Sequence, residues 1–200
     1  VCAHPGTARF IAEKFCRRFV SLEPPGALVQ SVAAEFSRAR GDIPSLLRVI
    51  FRSQEFMDAR GRLLKRPFKF MVSALRALAA DTRAEKAILE PLQRMGHGLF
   101  QYPTPDGYPD DELPWMGTLM WRWNFALALA GGRQPGVRVG RAPLEKALSR
   151  GKTKPALETW FAHFTGRAPT SAERTALEVF PGDLPQMAGL ILASPAFQRC

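Results

Sequence analysis

Apolar residues recur along this chain mainly at the three- and four-residue spacing of an amphipathic helix, and the alternation typical of a strand is nearly absent. The stripe Ala8, Ile11, Phe15 and Phe19 predicts the first helix. Comparable stripes predict helices after Pro24-Pro25, from Asp42, after Pro67, after Thr82, over 115–130, over 155–164, after Thr170 and over 183–193. The pattern therefore predicts an all-α protein, an irregular bundle of about 8 to 10 helices.

Several predicted helices begin at residues that favour a helix N-terminus. Asp42 and Asp183 are each followed two positions later by proline, which predicts an N-cap with Pro44 or Pro185 in the first turn. Two serines each precede a phenylalanine by three residues and predict a short capped turn: Ser53 with Phe56, and Ser194 with Phe197. Two capping boxes are also predicted: Thr82 with Glu85, and Thr170 with Glu173. Both phenylalanines are predicted to be buried against the preceding helix.

Two distant stretches of the chain resemble each other. Residues 41–56 and 182–197 are identical at six of sixteen positions at an offset of 141. Upstream, an offset of 145 pairs Glu13 with Glu158 and Phe19 with Phe164. The two offsets differ by about one helical turn, so the middle helix is predicted to be one turn shorter in the second copy. The interpretation is a duplicated three-helix unit, with chance matching as the alternative.

The expected organisation is one helical domain over residues 1–200. Its parts are repeat unit 1 at about 7–59, central helices and a loop at 66–132, a basic connector at 133–154 with a short helix after Pro143, and repeat unit 2 at about 155–199. Because the chain begins at Val1, without an initiator methionine or a signal peptide, we expect it to be the C-terminal piece of a longer protein.

The charge is strongly positive but unevenly distributed. The formal net charge is +10: the stretches 60–69 and 133–154 carry +5 and +6, and the remaining residues sum to about −1. Such a balance raises binding to a polyanion or an anionic membrane as a hypothesis. The two stretches fall between predicted helices, so solvated connectors are the alternative, and no nucleic-acid-binding motif accompanies them. No apolar run is long enough to predict a membrane span.

The three cysteines do not form a pattern. No CxxC spacing occurs among Cys2, Cys16 and Cys200, and no histidine lies near them in sequence, so neither a metal nor a cofactor is expected. Cys16 falls beside the apolar stripe of the first helix and is predicted to lie at the edge of the core. A Cys2–Cys16 disulfide requires the segment before that helix to fold back.

The candidate functional segment is the 96–115 loop, which lies between two predicted helices and is rich in glycine and proline. Loops of this length are usually functional or disordered, and Tyr102, Tyr108 and Trp115 argue against disorder. His97 could act as a base or metal ligand. Four acidic residues lie within the loop and an arginine lies on the following helix, where it could hold a carboxylate: Asp106, Asp110, Asp111, Glu112 and Arg122.

Four roles stay open for this loop: a structural lid or brace, a contact for a protein or glycan, a metal site and a catalytic centre. The structural role has a simple basis, because Asp106-Gly107 is a common turn pair and the acidic residues can cap the next helix. The sequence contains no GxSxG, HExxH or phosphate-binding loop, and the spacing matches no calcium loop. The candidate residues are His97, Asp106, Tyr108, Trp115 and Arg122.

An ordered set of short motifs extends over nearly the whole chain. These motifs are His4-Pro5 with 7–12, Asp42-Ile43 with 53–56, Pro67 with 73–78, Gly96-His97 with 105–109 and Trp115, Arg122 with 124–126, and 192–199. In this set the chain resembles the C-terminal half of the bacterial domain-of-unknown-function-1800 family. It departs from the family at Gln54, where proline is usual.

The resemblance implies a large, often exported bacterial protein whose gene often neighbours that of a sulfatase-like companion, and it implies no catalytic residue. The preferred hypothesis is a non-catalytic helical module at the periplasm or cell surface that binds a protein partner or a surface polymer. The alternatives are an enzyme or enzyme subunit with its site under the 96–115 loop, and polyanion binding through the basic connectors.

Overall fold

The computed structural model describes residues 4–140, 153–180 and 183–200. The described part is all-α, as the sequence predicts, with one sheet of two short strands. It contains twelve helices, because three segments of four or five residues, at 54–58, 113–116 and 195–198, are also helical. None of the described helices combines the length and the hydropathy that a membrane crossing requires.

The contacts divide the chain into two compact units, residues 1–63 with Cys200 and residues 64–199. The expectation of a single domain stays a prediction. Unit 1 contains α1 (Pro5–Phe19), α2 (Gly26–Arg38), α3 (Ile43–Phe51) and α4 (Gln54–Asp58). Unit 2 contains α5 (Pro67–Ala77), β1 (Asp81–Thr82), α6 (Lys86–Arg94), α7 (Leu113–Met116), α8 (Leu119–Ala130), β2 (Val137–Arg138), α9 (Thr153–Thr165), α10 (Ser171–Glu178), α11 (Leu184–Ala193) and α12 (Pro195–Gln198).

In unit 1 the buried face of α1 is built from small side chains. Ala8, Ala12 and Cys16 are buried at four-residue spacing, and the predicted stripe of Ile11, Phe15 and Phe19 packs beside them, half-buried. Cys16 was expected at the edge of the core but is fully buried, because small residues allow α1 to pack closely on α2. Burial, together with the charge of Glu55, raises the pKa of the Cys16 thiol to about 11, so it stays protonated at neutral pH.

The predicted caps of α3 and α4 are present in unit 1. The Asp42 carboxylate accepts a hydrogen bond from the Ser45 backbone N–H at 3.0 Å, and Ser53 Oγ accepts one from the Phe56 N–H at 3.1 Å. Phe56 differs from the prediction, because it is half-buried and packs against the exposed Phe51 with ring centroids 5.0 Å apart.

Unit 2 is organised around α5, α8 and α11. Its core contains Phe70 of α5, Phe125 and Leu129 of α8, and Ile191 and Leu192 of α11. Gly189 allows α11 to approach α8, since a Cβ at this position would lie 2.9 Å from Leu127 Cδ2. The predicted helix over 115–130 is divided into α7 and α8 at Gly117-Thr118. The Thr170–Glu173 capping box of α10 is present.

The predicted capping box at Thr82 and Glu85 is wrong. Thr82 pairs with Val137 in the two-stranded sheet, and its hydroxyl donates to the Gly136 carbonyl at 2.9 Å. Helix α6 starts at Lys86 with Glu85 as an N-cap that makes no side-chain capping bond. A pairing with a segment some fifty residues away therefore overrides the local signal.

Pro91 lies within α6 and does not end it. Because proline has no N–H, the carbonyl of Ala87, four residues earlier, lacks its helical donor. The side chain of Gln134, itself buried, donates to this carbonyl at 2.8 Å. A residue outside the helix thus replaces the missing backbone bond.

The order α9 to α12 matches the order α1 to α4, three longer helices followed by a short one. Asp183 caps α11, and Ser194 accepts from the Phe197 N–H at 3.4 Å, as Asp42 and Ser53 do in unit 1. Phe197 is fully buried against Phe70. These parallels are consistent with a duplicated unit, which stays a prediction. The short helix predicted after Pro143 lies outside the described residues.

Candidate functional site

The 96–115 loop of unit 2 is organised around three aromatic rings. His97 stacks on Trp115 with ring centroids 5.3 Å apart, and it lies 4.4 Å from the ring of Tyr108. Tyr102 extends the cluster, 4.7 Å from Tyr108. Trp115 is almost completely buried. The sequence prediction that the aromatic residues order this loop therefore agrees with the packing, and three of the five candidate residues meet here.

Hydrogen bonds hold the ring cluster to the loop backbone. The Tyr108 hydroxyl donates to the Gly98 carbonyl at 2.7 Å, and Trp115 Nε1 donates to the Pro109 carbonyl at 3.3 Å. His97 Nδ1 accepts from the backbone N–H of Phe68, at the start of α5, at 3.3 Å. The rings and these hydrogen bonds therefore form a small core inside the loop.

Two ion pairs, Glu112–Arg199 and Arg66–Asp110, connect the far end of the loop to other parts of unit 2. The Glu112 carboxylate accepts hydrogen bonds from the two terminal guanidinium nitrogens of Arg199, at 3.0 and 2.9 Å, and from the Leu64 N–H at 3.1 Å. Arg66 donates to the Tyr108 carbonyl at 3.3 Å and pairs with Asp110. Sequence reasoning missed these partners, because Arg199 is 87 positions from Glu112 and no local pattern connects them.

Among the described residues Arg122 contacts no carboxylate, although the sequence suggested that it could bind one. Its side chain is fully buried, and its Nη1 donates to the Lys65 carbonyl at 2.7 Å and to Gln198 Oε1 at 2.9 Å. Its Nη2 has no hydrogen-bond partner in the described part of the chain. Burial lowers the pKa of Arg122 to about 10, so the guanidinium stays charged at neutral pH. Its contacts give it a structural role beneath α5.

The surroundings of His97 favour its neutral form. Burial lowers the pKa of His97 below its ordinary value, and the positive charges of Arg66 and Arg122 lower it further. The neutral ring accepts a hydrogen bond at Nδ1 and packs against both Tyr108 and Trp115. The lowered pKa, the hydrogen bond and the ring contacts together give His97 a structural role.

Asp106 lies apart from the ring cluster. It is exposed in a turn closed by a bond of 3.3 Å from the Gly107 N–H to the Thr104 carbonyl, which fits the Asp-Gly turn predicted from the sequence. It makes no hydrogen bond or ion pair with the described residues. The described chain also contains no group of three His, Cys, Asp or Glu side chains placed to share a metal ion.

The outer face of the loop presents apolar side chains to solvent. Phe100 is fully exposed, at 104% of its reference area, and Leu99 beside it is 40% exposed. They occupy the middle of a four-residue turn in which the Gln101 N–H donates to the Gly98 carbonyl at 3.3 Å. Phe100 has φ +57°, a left-handed conformation that this turn position normally gives to glycine. No residue pattern in the sequence predicts that Leu99 and Phe100 are exposed.

The arrangement can support recognition more readily than bond chemistry. A general base needs a titrating group that faces a substrate pocket, whereas His97 accepts a backbone N–H and is covered by rings. The polar atoms of Tyr108 and Trp115 are engaged with carbonyl groups of the loop. The part of the loop that another molecule can contact is the exposed tip, Leu99-Phe100, which the ring cluster and the ion pairs support.

Comparison with known proteins gives one match. The family model described as "Protein of unknown function (DUF1800)" matches residues 1–199. No curated protein and no solved structure matches the chain.

Proposed function

Because the chain belongs to the DUF1800 family, whose function is unknown, we propose a function from the site alone: the chain is a non-catalytic binding module. It uses the 96–115 loop as a rigid recognition element for a protein partner. The observation that carries the proposal is the fully exposed Phe100 at the tip of a loop that is held from within and from both ends.

The physical argument concerns what binding costs. Ordering a flexible loop reduces affinity, so a loop already held in one conformation retains more of its contact energy. Aromatic side chains that enter a pocket on a partner contribute much of the binding energy in many protein interfaces. Phe100 combines exposure with a fixed backbone, which are the two properties that such an anchor residue needs.

The chemistry of the tip favours a protein over a surface polymer. Leu99 and Phe100 offer apolar area without a hydrogen-bonding group, whereas a glycan site needs polar groups that orient hydroxyls. The stretch 60–69 also gives little support to polyanion binding. Its Lys65 is buried with Nζ 3.9 Å from the centre of the Phe197 ring, and its Arg66 is engaged with Asp110.

The proposed partner is the sulfatase-like companion that the family resemblance suggested, and the proposed setting is the periplasm or cell surface of a bacterium. The formal charge of +10 supports a partner with an acidic surface around the pocket that receives Phe100. Fractionation of cells that express the complete gene tests the setting, and a protein retained in the cytoplasm would contradict it.

The binding experiment uses the purified companion and the 200-residue chain in a calorimeter. Phe100→Ala should weaken binding by at least about tenfold, because it removes the anchor ring. The matched control is Val179→Ala, which removes apolar atoms from another exposed position, 77% exposed, and should leave the affinity unchanged. Thermal unfolding of both variants checks that each remains folded.

Two results would contradict the proposal. One is the failure of the companion to bind the wild-type chain, and the other is equal affinity of the wild type and Phe100→Ala. A hydrolytic activity of the chain that disappears in Asp106→Asn would favour the enzymatic alternative instead.

A further inference from the structure

A cavity of about 310 Å³ lies at the surface of unit 2, between α6 and α8. Its wall is mainly apolar and contains the rings of Pro91 on α6, Trp121 and Phe125 on α8, and Pro135 in the segment after α8. A cavity of this volume is at the lower limit of the range for small-molecule sites. No residue of the 96–115 loop lines it, so it is separate from the site described above.

Two amide side chains line this cavity and keep hydrogen-bonding atoms that the described residues do not use. Gln134 is only 9% exposed, and its Nε2 donates to the Ala87 carbonyl, which leaves its Oε1 without a donor among the described residues. Asn124 is exposed on α8, and its side chain makes no hydrogen bond within the described part of the chain. Because buried polar groups are normally hydrogen-bonded, the Gln134 Oε1 requires a donor from whatever fills the cavity.

The charged residues of the cavity wall neutralise each other. Arg94 Nη2 lies 2.9 Å from Glu90 Oε1, and the Arg94 guanidinium lies 5.0 Å from the centre of the Trp121 ring. Glu90 and Arg94 are the only charged residues among the described ones that line the cavity. The wall therefore offers no unpaired charge to an anion or a cation, and it favours a neutral ligand.

The pattern of donors and acceptors separates the ligands that an apolar cavity could take. A proline-rich peptide presents carbonyl acceptors but few N–H donors, so it leaves the Gln134 Oε1 without a partner. A nucleotide brings a phosphate, which arginine and lysine usually bind, and the described wall has no unpaired cation. Each hydroxyl group of a sugar is both donor and acceptor, and the C–H face of the sugar can pack on the negative face of an aromatic ring.

We propose that the cavity between α6 and α8 binds one pyranose ring of a neutral sugar. Its C–H face packs on Trp121, and its hydroxyl groups bond to Gln134 Oε1 and to the Asn124 amide. A free hexose and a residue of a glycan chain share this chemistry. Because one ring makes few contacts, the dissociation constant should be on the order of 1 mM. The inference is independent of the Phe100 tip.

Titration of the 200-residue chain with glucose, galactose and N-acetylglucosamine, followed by proton–nitrogen-15 NMR, tests the proposal. At least one of these sugars should shift the side-chain amide signals of Asn124 and Gln134 and the indole N–H signal of Trp121. The indole signal of Trp160, which is buried in the core of unit 2, should not move. Cavity signals that stay in place with all three sugars at about 100 mM would overturn the proposal.

Two pairs of variants test whether the sugar lies in this cavity. Asn124→Ala should weaken binding about three- to tenfold, because it removes a neutral hydrogen-bonding group, whereas Gln93→Ala removes an exposed amide outside the cavity and should have no effect. Trp121→Ala should weaken binding about tenfold or more, and Trp123→Ala, at an exposed indole that does not line the cavity, should not. Circular dichroism checks the fold of each variant. Sugar binding that all four variants retain would overturn the site.

Three further ligands distinguish the class and the source of the ligand. If a proline-rich peptide or adenosine monophosphate shifts the cavity signals and the sugars do not, the proposal is overturned and the cavity is assigned to that class. The trisaccharide of N-acetylglucosamine distinguishes the sources. Tighter binding of the trisaccharide than of the single sugar supports a glycan chain, and equal affinity supports a free sugar; both results support a pyranose site.

Discussion

The turn at Gly98–Gln101 makes an unusual prediction about Phe100: glycine at this position should stabilise the protein. Phe100 has φ +57° and its ring is fully exposed. A left-handed backbone costs a residue with a Cβ about 1 to 2 kcal/mol. Glycine avoids that cost but loses about 0.5 to 1 kcal/mol more backbone entropy on folding. Phe100→Gly should therefore raise the free energy of unfolding by about 0.5 kcal/mol.

Phe100→Ala separates the backbone from the ring. Alanine keeps the left-handed cost and removes only an exposed ring, so its stability should be close to that of the wild type. Glycine should therefore be the more stable of the two variants by about 0.5 kcal/mol. At an ordinary helical position the order is reversed, since Ala176→Gly in the exposed part of α10 should cost about 1 kcal/mol.

Urea unfolding followed by tryptophan fluorescence is the suitable assay, because all four tryptophans lie in unit 2 with the loop. The comparison needs equal slopes of free energy against urea for the variants. If Phe100→Gly is less stable than Phe100→Ala, as at a helical position, the backbone is not left-handed and the fixed-tip argument fails. Phe100→Gly should also lose affinity for the companion, which separates stability from binding.

Three further predictions follow from single contacts. Gln134→Leu leaves the Ala87 carbonyl without a donor, so unit 2 should lose about 1 to 3 kcal/mol in urea unfolding, and an unchanged midpoint would contradict the role of the side chain. Glu112→Gln weakens a half-exposed ion pair with Arg199 and should lower the free energy of unfolding by about 1 kcal/mol. High salt should reduce this difference between the variant and the wild type, and a difference that does not change with salt would contradict its ionic origin. The pKa of His97 is lower in the folded chain than in the unfolded chain, so as the pH falls the unfolded chain binds a proton at His97 first. The contribution of His97 to the free energy of unfolding is therefore complete above about pH 6.5 and falls below it. In His97→Asn this dependence of stability on pH should be lost between about pH 7 and 5, and a variant that keeps the wild-type dependence would refute the assignment.

Helix starts could be predicted from the sequence where the signal is local. Asp42, Ser53 and Thr170 bond to backbone groups three residues away, so the residues that decide each cap are adjacent in the chain. Thr82 carries the same kind of signal and fails, because its strand partner lies at Val137. Local chemistry decided a cap only where no distant segment competed for the same residue.

Burial depended on partners that the sequence does not reveal. Phe56 and Phe197 occupy equivalent positions after capping serines, yet only Phe197 is completely buried, because it packs against Phe70 of α5. Arg122 was a candidate because arginine commonly binds carboxylates, whereas its partners here are a carbonyl at Lys65 and an amide at Gln198. These contacts join segments far apart in the chain.

The aromatic residues in the sequence identified the candidate loop, but they did not predict which side chains its outer face exposes. Tyr108 and Trp115 indicated order, and they do pack on His97. Phe100 is exposed because it lies in the turn that the bond between Gln101 and Gly98 closes. No residue type in that stretch predicts a left-handed conformation at Phe100.

The most direct measurement of the central claim is the backbone order of the 96–115 loop in solution. If the rings and the Glu112–Arg199 pair hold the loop, nitrogen-15 order parameters at Gly98 and Phe100 should be about 0.85, like those of a rigid helix. The same values should fall in Tyr108→Phe, which removes the bond to the Gly98 carbonyl. Order parameters below about 0.6 at these residues in the wild type would contradict a loop that presents Phe100 in one fixed conformation.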